Sequence, residues 1–149
     1  MKNRIYIAIV VMALVSLFAA STAKAQSNNR QLIANIPFDF EVGKTTLPAG
    51  EYTVNQVNPS SDRPMLRLSS KDGRAVAVVH TIPVIRKAED GARLIFHCYG
   101  SQYFFAEAWT GSESTGLQAL KSRAERATQR ELAGLQPRIR EVALNVVNK

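Results

Sequence analysis

The sequence predicts a mainly β fold: an antiparallel β-sandwich or partly open barrel of about six to eight strands, with one C-terminal α-helix packed on it. Three observations predict it. Short stretches of alternating apolar and polar residues recur along the chain, and period 2 is the signature of a half-buried strand. Clusters of Gly, Pro, Asn and Asp separate these stretches. One segment near the C-terminus has a near-helical apolar period instead.

The elements follow in chain order. From Ile33 to Val42, the residues Ile36, Phe38, Phe40 and Val42 share one face, with Asp39 and Glu41 on the other. Pro37 has no N–H, so this strand is expected at an edge or with a bulge. Glu51 to Val57 reads as a strand with Tyr52 and Val54 inward. Met65 to Ser69 and Arg74 to Ile82 read as strands joined around Asp72-Gly73, a dipeptide that tolerates the positive φ of a type I′ turn. Pro83 is expected to begin a connection.

Arg93 to Tyr99 and Gln102 to Trp109 form a hairpin about Gly100-Ser101, a type II′ signal. That turn pairs positions summing to 201, so His97 faces Phe104 and Leu94 faces Glu107. On this register Tyr103, Phe105, Glu107 and Trp109 share a face. Both faces of the hairpin are mostly apolar, which places it centrally with cover on each side.

The helix is expected over about residues 116–134. Thr115 and Gln118 match a capping box, and Gly134 with Pro137 marks the end. Arg123, Arg126 and Arg130 lie on its polar side. Arg138 to Lys149 reads as a last strand, because Val142, Leu144 and Val146 alternate with Ala143, Asn145 and Val147.

The first 25 residues carry an address. Lys2 and Arg4 precede an apolar run from Ile5 to Ala20, and Ala23-Lys24-Ala25 is a small-residue cleavage signal. The run is 16 residues, short of the roughly 20 that cross a bilayer. We expect cleavage after Ala25 and export to the periplasm or beyond the cell. The alternative is a retained anchor. Residues 26–149 then form a single domain of 124 residues. Cys98 is the sole cysteine, so an intrachain disulfide is excluded; a small buried hydrophobe is its simplest role, an intermolecular disulfide the other.

Without the leader the formal charge falls from +7 to +4. Residues 26–116 hold nine Lys/Arg and nine Asp/Glu, and residues 117–149 hold seven and three. The whole excess therefore sits at the C-terminus. Export argues against nucleic acid as a partner. An envelope component, an acidic polysaccharide, an anionic lipid surface or a second copy of the chain are the partner classes left.

Chemical motifs are sparse. G-x-S-x-G and G-x-x-x-x-G-K are absent from the sequence, and no cofactor is expected. If the strands at 74–82 and 93–99 paired, His80 and His97 would lie diagonally on one face, but no third ligand is in view and no metal is expected. Glu107 among Tyr103, Phe105 and Trp109 is the one carboxylate in an aromatic setting, so Tyr103, Glu107 and Trp109 are the ligand-binding candidates for a small enzyme or carbohydrate-binding module. Arg123, Arg126 and Arg130 are candidates for membrane or polyanion contact. The leading expectation is a non-enzymatic, exported domain that binds or scaffolds in the cell envelope.

The stretch from Ile36 to Val54, IPFDFEVGKTTLPAGEYTV, resembles a group of small exported proteins of unknown function in soil bacteria of the acidobacterial type, which carry an IPFxFxVG…LPAGxYxV segment after the signal peptide. The resemblance covers this segment well and the later strands loosely. It implies export and a β fold, and it supplies no functional residues. Independently of it, Pro48 and Gly50 suit a turn that returns Tyr52 and Val54 to the core.

Overall fold

The computed structural model describes residues 30–58, 61–87, 91–111, 114–132 and 136–148. The leader and the junction at Ala25 lie outside the described residues. Ten strands and one helix are described: β1 (Arg30–Ile36), β2 (Phe40–Val42), β3 (Thr45–Leu47), β4 (Gly50–Val57), β5 (Met65–Ser70), β6 (Val76–Ile85), β7 (Arg93–Tyr99), β8 (Gln102–Trp109), β9 (Thr115–Ala119), α1 (Arg123–Glu131) and β10 (Arg138–Asn148).

Eight strands run β8-β7-β10-β1-β4-β5-β6-β9, and β9 pairs back onto β8. The closing rungs are Glu107 with Gln118 and Ala108 with Leu117. The sheet is therefore an antiparallel barrel. The β2–β3 hairpin attaches to β8 through the parallel rung of Glu41 with Phe104.

Alternation fills the interior. Ala34, Ile36, Tyr52, Val54, Leu66, Leu68, Ala77, Val79, Leu94, Phe96, Phe105, Val142 and Leu144 are all buried in one cluster. Their strand neighbours Asn35, Arg67, Val78, Ala143 and Asn145 are exposed. The lumen is therefore apolar, whereas that of a membrane-spanning barrel is polar.

The Ile36–Val54 segment closes part of this interior. Phe40, Val42 and Leu47 of the β2–β3 hairpin are buried. Phe40 meets Tyr52 and Phe96 edge-on, at centroid distances of 5.2 and 5.3 Å. The Tyr52 hydroxyl donates to the Pro48 carbonyl at 2.6 Å, and the Ala49 N–H donates to Asp39 Oδ1 at 2.8 Å. The Leu-Pro-Ala-Gly turn is thus tied at both ends.

Several expectations change. The stretch Ile33 to Val42 is two strands, broken at Pro37, and β1 is central, between β10 and β4. Pro37 ends the strand instead of marking an edge, because the break falls where its missing N–H costs no ladder bond. The β5–β6 connection is not a two-residue type I′ turn. Ser70 N–H donates to the Ala75 carbonyl at 2.8 Å across a four-residue loop, and only Gly73 takes a positive φ, 71°. β6 continues through Pro83 to Ile85, along a half that pairs with β9 while β5 pairs with residues 76–80.

The helix is shorter and later than expected. Residues 115–119 are β9, and α1 begins after Ser122. Ser122 Oγ accepts from the Glu125 N–H at 3.0 Å, so Ser122 to Glu125 supplies the cap that Thr115 to Gln118 only matched in pattern. Residues 133–134, the expected helix end, lie outside the described residues. The last strand is present as β10, paired with both β1 and β7.

Candidate functional site

The β7–β8 hairpin positions most of the chemistry. Gly100 takes φ 62° at the turn. From there the register follows the expected sum as far as Phe96 with Phe105. A bulge then intervenes, and Ile95 pairs with Glu107 and Leu94 with Ala108. One inserted residue, Ala106, moves every later side chain of β8 by one position. Leu94 does not face Glu107. Tyr103 and Phe105 stay with the interior, whereas Ala106 and Trp109 pack with Ile95 and Val84 in a second cluster on the outer wall.

Tyr103, Glu107 and Trp109 therefore do not converge. Tyr103 stacks on Phe38, with centroids 4.0 Å apart and planes 16° from parallel. Glu107 is 2% exposed and is bound twice: Trp109 Nε1 donates to Oε2 at 2.9 Å, and Arg86 donates to Oε1 at 2.5 Å. The guanidinium carbons of Arg86 and Arg93 stand 5.8 and 5.7 Å from the Trp109 ring centroid. Gly116 of β9 lies against the indole so closely that a Cβ there would sit 2.7–2.8 Å from three ring carbons. Trp109 is itself 2% exposed. Its N–H and its ring are spent on the protein, so this is a buried staple between β8, β9 and the end of β6, not an open stacking platform.

A second buried carboxylate holds the helix. Glu125 Oε1 lies 2.7 Å from His97 Nδ1 and accepts from the Tyr99 hydroxyl at 3.4 Å. An ionised carboxylate only accepts, so Nδ1 carries the hydrogen. Thr128 Oγ1 donates to Gln102 Oε1 at 3.0 Å one turn later. These contacts seat α1 on the outer wall of the hairpin. The central hairpin thus has cover on both sides, as its apolar faces require.

His80 is exposed and pairs with Met65 on β5, while His97 sits on β7 beside β8 and β10. The diagonal His80–His97 pair is not formed, because β6 and β7 are not neighbours. Arg123, Arg126 and Arg130 are exposed on α1, and Arg126 is partly committed, donating to the Lys121 carbonyl at 2.8 Å. Cys98 is buried, and its thiol donates to the Gly100 carbonyl at 3.3 Å.

Sequence reasoning missed Arg86, Arg93, His97 and Glu125 as partners of the two staples. Ser122-Arg123-Ala124-Glu125 is itself an S-x-x-E cap signal and could have found the helix start. No local signal links Arg86 to Glu107, because the link runs through barrel closure. Comparison with protein-family models, with curated proteins and with solved structures found no match to this chain.

Proposed function

We propose that the chain is an exported, non-enzymatic β-domain that scaffolds in the cell envelope by associating with a second copy of itself through the outer wall of β6. One observation carries this reading. Among the described residues six large hydrophobics are exposed, and four of them lie on β6: Val76, Val78, Ile82 and Ile85, at 38, 52, 43 and 79%. Val76, Val78 and Ile82 share the outward face with His80. Their neighbours across the ladder are Ser69 and Met65 on β5 and Gln118 on β9, with Arg67 the charged exception. A chain with a surplus of positive charge meets its own copy with least repulsion along such a row, and a two-fold contact lays the same residues against each other.

The test is sedimentation equilibrium of residues 26–149, wild type against a Val78→Asp/Ile82→Asp variant. Wild type should dimerise with concentration and the variant should stay monomeric with an unchanged melting temperature. A wild type that is monomeric up to about 0.2 mM, well above the micromolar range of specific interfaces, would overturn the self-association. The export half of the reading is tested separately, by the mass of the protein recovered from the cell envelope, which should begin at Gln26.

A further inference from the structure

Two arginines on β10 stand together with no partner among the described residues. Arg138 and Arg140 are two residues apart on one face of the strand, opposite Cys98 and Phe96 of β7. With Ile139, Cys98 and Tyr103 they line a cleft of about 160 Å³ near the Gly100-Ser101 turn. Neither guanidinium has an ion pair or hydrogen bond among the described residues, and the Tyr103 hydroxyl has none either. The next acid along β10, Glu141, is engaged by Arg93 at 3.9 Å. The Cys98 thiol is turned to the Gly100 carbonyl and leaves the cleft to the other donors.

We propose that Arg138, Arg140 and Tyr103 form an oxyanion site that takes the carboxylate or phosphate group of a small ligand. Residues two apart on a strand are about 7 Å apart, so the two like charges repel until an anion lies between them. Guanidinium forks match planar and tetrahedral oxyanions with paired N–H bonds. Tyr103 is a fixed third donor, because its ring is held against Phe38. The cleft is smaller than the roughly 300–1,000 Å³ of a drug-sized pocket, so it holds the acidic group of a ligand and few atoms beyond it. The site lies apart from the β6 face and stands or falls independently of self-association.

The experiment is calorimetric titration of residues 26–149 at low ionic strength with two probes, glucuronate and inorganic phosphate. Saturable 1:1 binding of at least one is expected, and the tighter probe names the source chemistry. Affinity should fall about tenfold or more in Arg138→Gln/Arg140→Gln, as expected for lost charge-assisted pairs, and should be unchanged in Arg123→Gln on α1. Arg138→Lys, which keeps the charge and the fold but not the fork, should lose several-fold, as should Tyr103→Phe. No saturable binding of either probe overturns the site. So does an equal loss in Arg123→Gln, which would make the attraction diffuse charge, or full affinity in Arg138→Lys together with Tyr103→Phe.

Discussion

Replacing Gly116 by Ala should cost this barrel more stability than any other single-methyl addition to β9. Gly116 takes no positive φ, so the backbone there would accept alanine. The conflict is with Trp109. The added Cβ would lie 2.7, 2.7 and 2.8 Å from three indole carbons, against roughly 3.5–4.0 Å for an ordinary carbon contact. A gap of nearly 1 Å must open. The ring cannot swing, because Nε1 is bound to the buried Glu107. The strand cannot retreat, because Gly116 pairs with Val84 on one side and Leu117 with Ala108 on the other. Overpacking of this kind costs about 1–3 kcal/mol, and rigidity on both sides argues for about 3. For a domain of this size that lowers the melting temperature by roughly 10 °C. The assay is thermal and urea unfolding followed by fluorescence, since Trp109 is the only tryptophan in the chain. Its emission should start blue and move red in Gly116→Ala. In a Trp109→Leu background the same substitution should be neutral or stabilising, because glycine in a strand is otherwise a weakness of about 0.5–1 kcal/mol. If Gly116→Ala stabilises the wild type by that amount and leaves the emission unmoved, the reasoning is wrong.

Three further outcomes follow from the same contacts. Ser122→Ala removes the cap of α1 and should cost about 1 kcal/mol, read as faster amide exchange in residues 123–131 with the barrel strands unaffected. Glu107→Ala strands the buried Trp109 N–H and should cost about 2–3 kcal/mol in urea unfolding, whereas Glu107→Gln keeps an acceptor and should cost less than half of that. Burial raises the Tyr52 phenol above its ordinary 10.0, with Asp72 and Asp39 adding to the effect, and burial with Glu125 raises Tyr99 likewise. The native state therefore keeps two protons that the unfolded chain gives up. Their contribution is intact below about pH 10 and is lost as pH rises through the raised values. Urea midpoints should hold to about pH 10 and then fall together with the appearance of tyrosinate absorbance. Tyr52→Phe/Tyr99→Phe should flatten that fall; an equally steep fall in the double variant would assign it to other groups.

Most strands were legible because their burial is one-sided. Tyr52 and Val54 alternate with Thr53 and Asn55, and Val142 and Leu144 with Ala143 and Asn145; the barrel honours each alternation. What period 2 cannot reveal is a change of phase. Ala106 is apolar and suits either wall, so nothing in the sequence marks it as the inserted residue, yet it decides which face Glu107 and Trp109 occupy. The helix start failed for a related reason. Thr115 to Gln118 and Ser122 to Glu125 are the same local pattern. The choice between them was made at long range, by Trp109 needing a residue without a side chain on β9 and by His97 needing a carboxylate on α1. Barrel closure had no local signature at all, since it rests on two rungs between β8 and β9.

The two buried carboxylates solve one problem in two places. A barrel's lumen orders itself by packing, but anything laid on its outer wall has only one apolar face to offer. α1 offers little even of that: among its described residues only Glu125 is buried. With a single cysteine in the chain, no intrachain disulfide can tie the outer layer down. Glu125 and Glu107 take that part. Each is buried and each accepts two bonds: Glu125 on the helix from His97 and Tyr99 of β7, and Glu107 from Trp109 on its own strand and from Arg86 just beyond the end of β6. A carboxylate held this way is costly to mispair, since a wrong register leaves a charge buried without donors. The staples therefore favour one placement of the helix and one closure of the seam, and they do so with residues whose chemistry would otherwise have invited a catalytic reading.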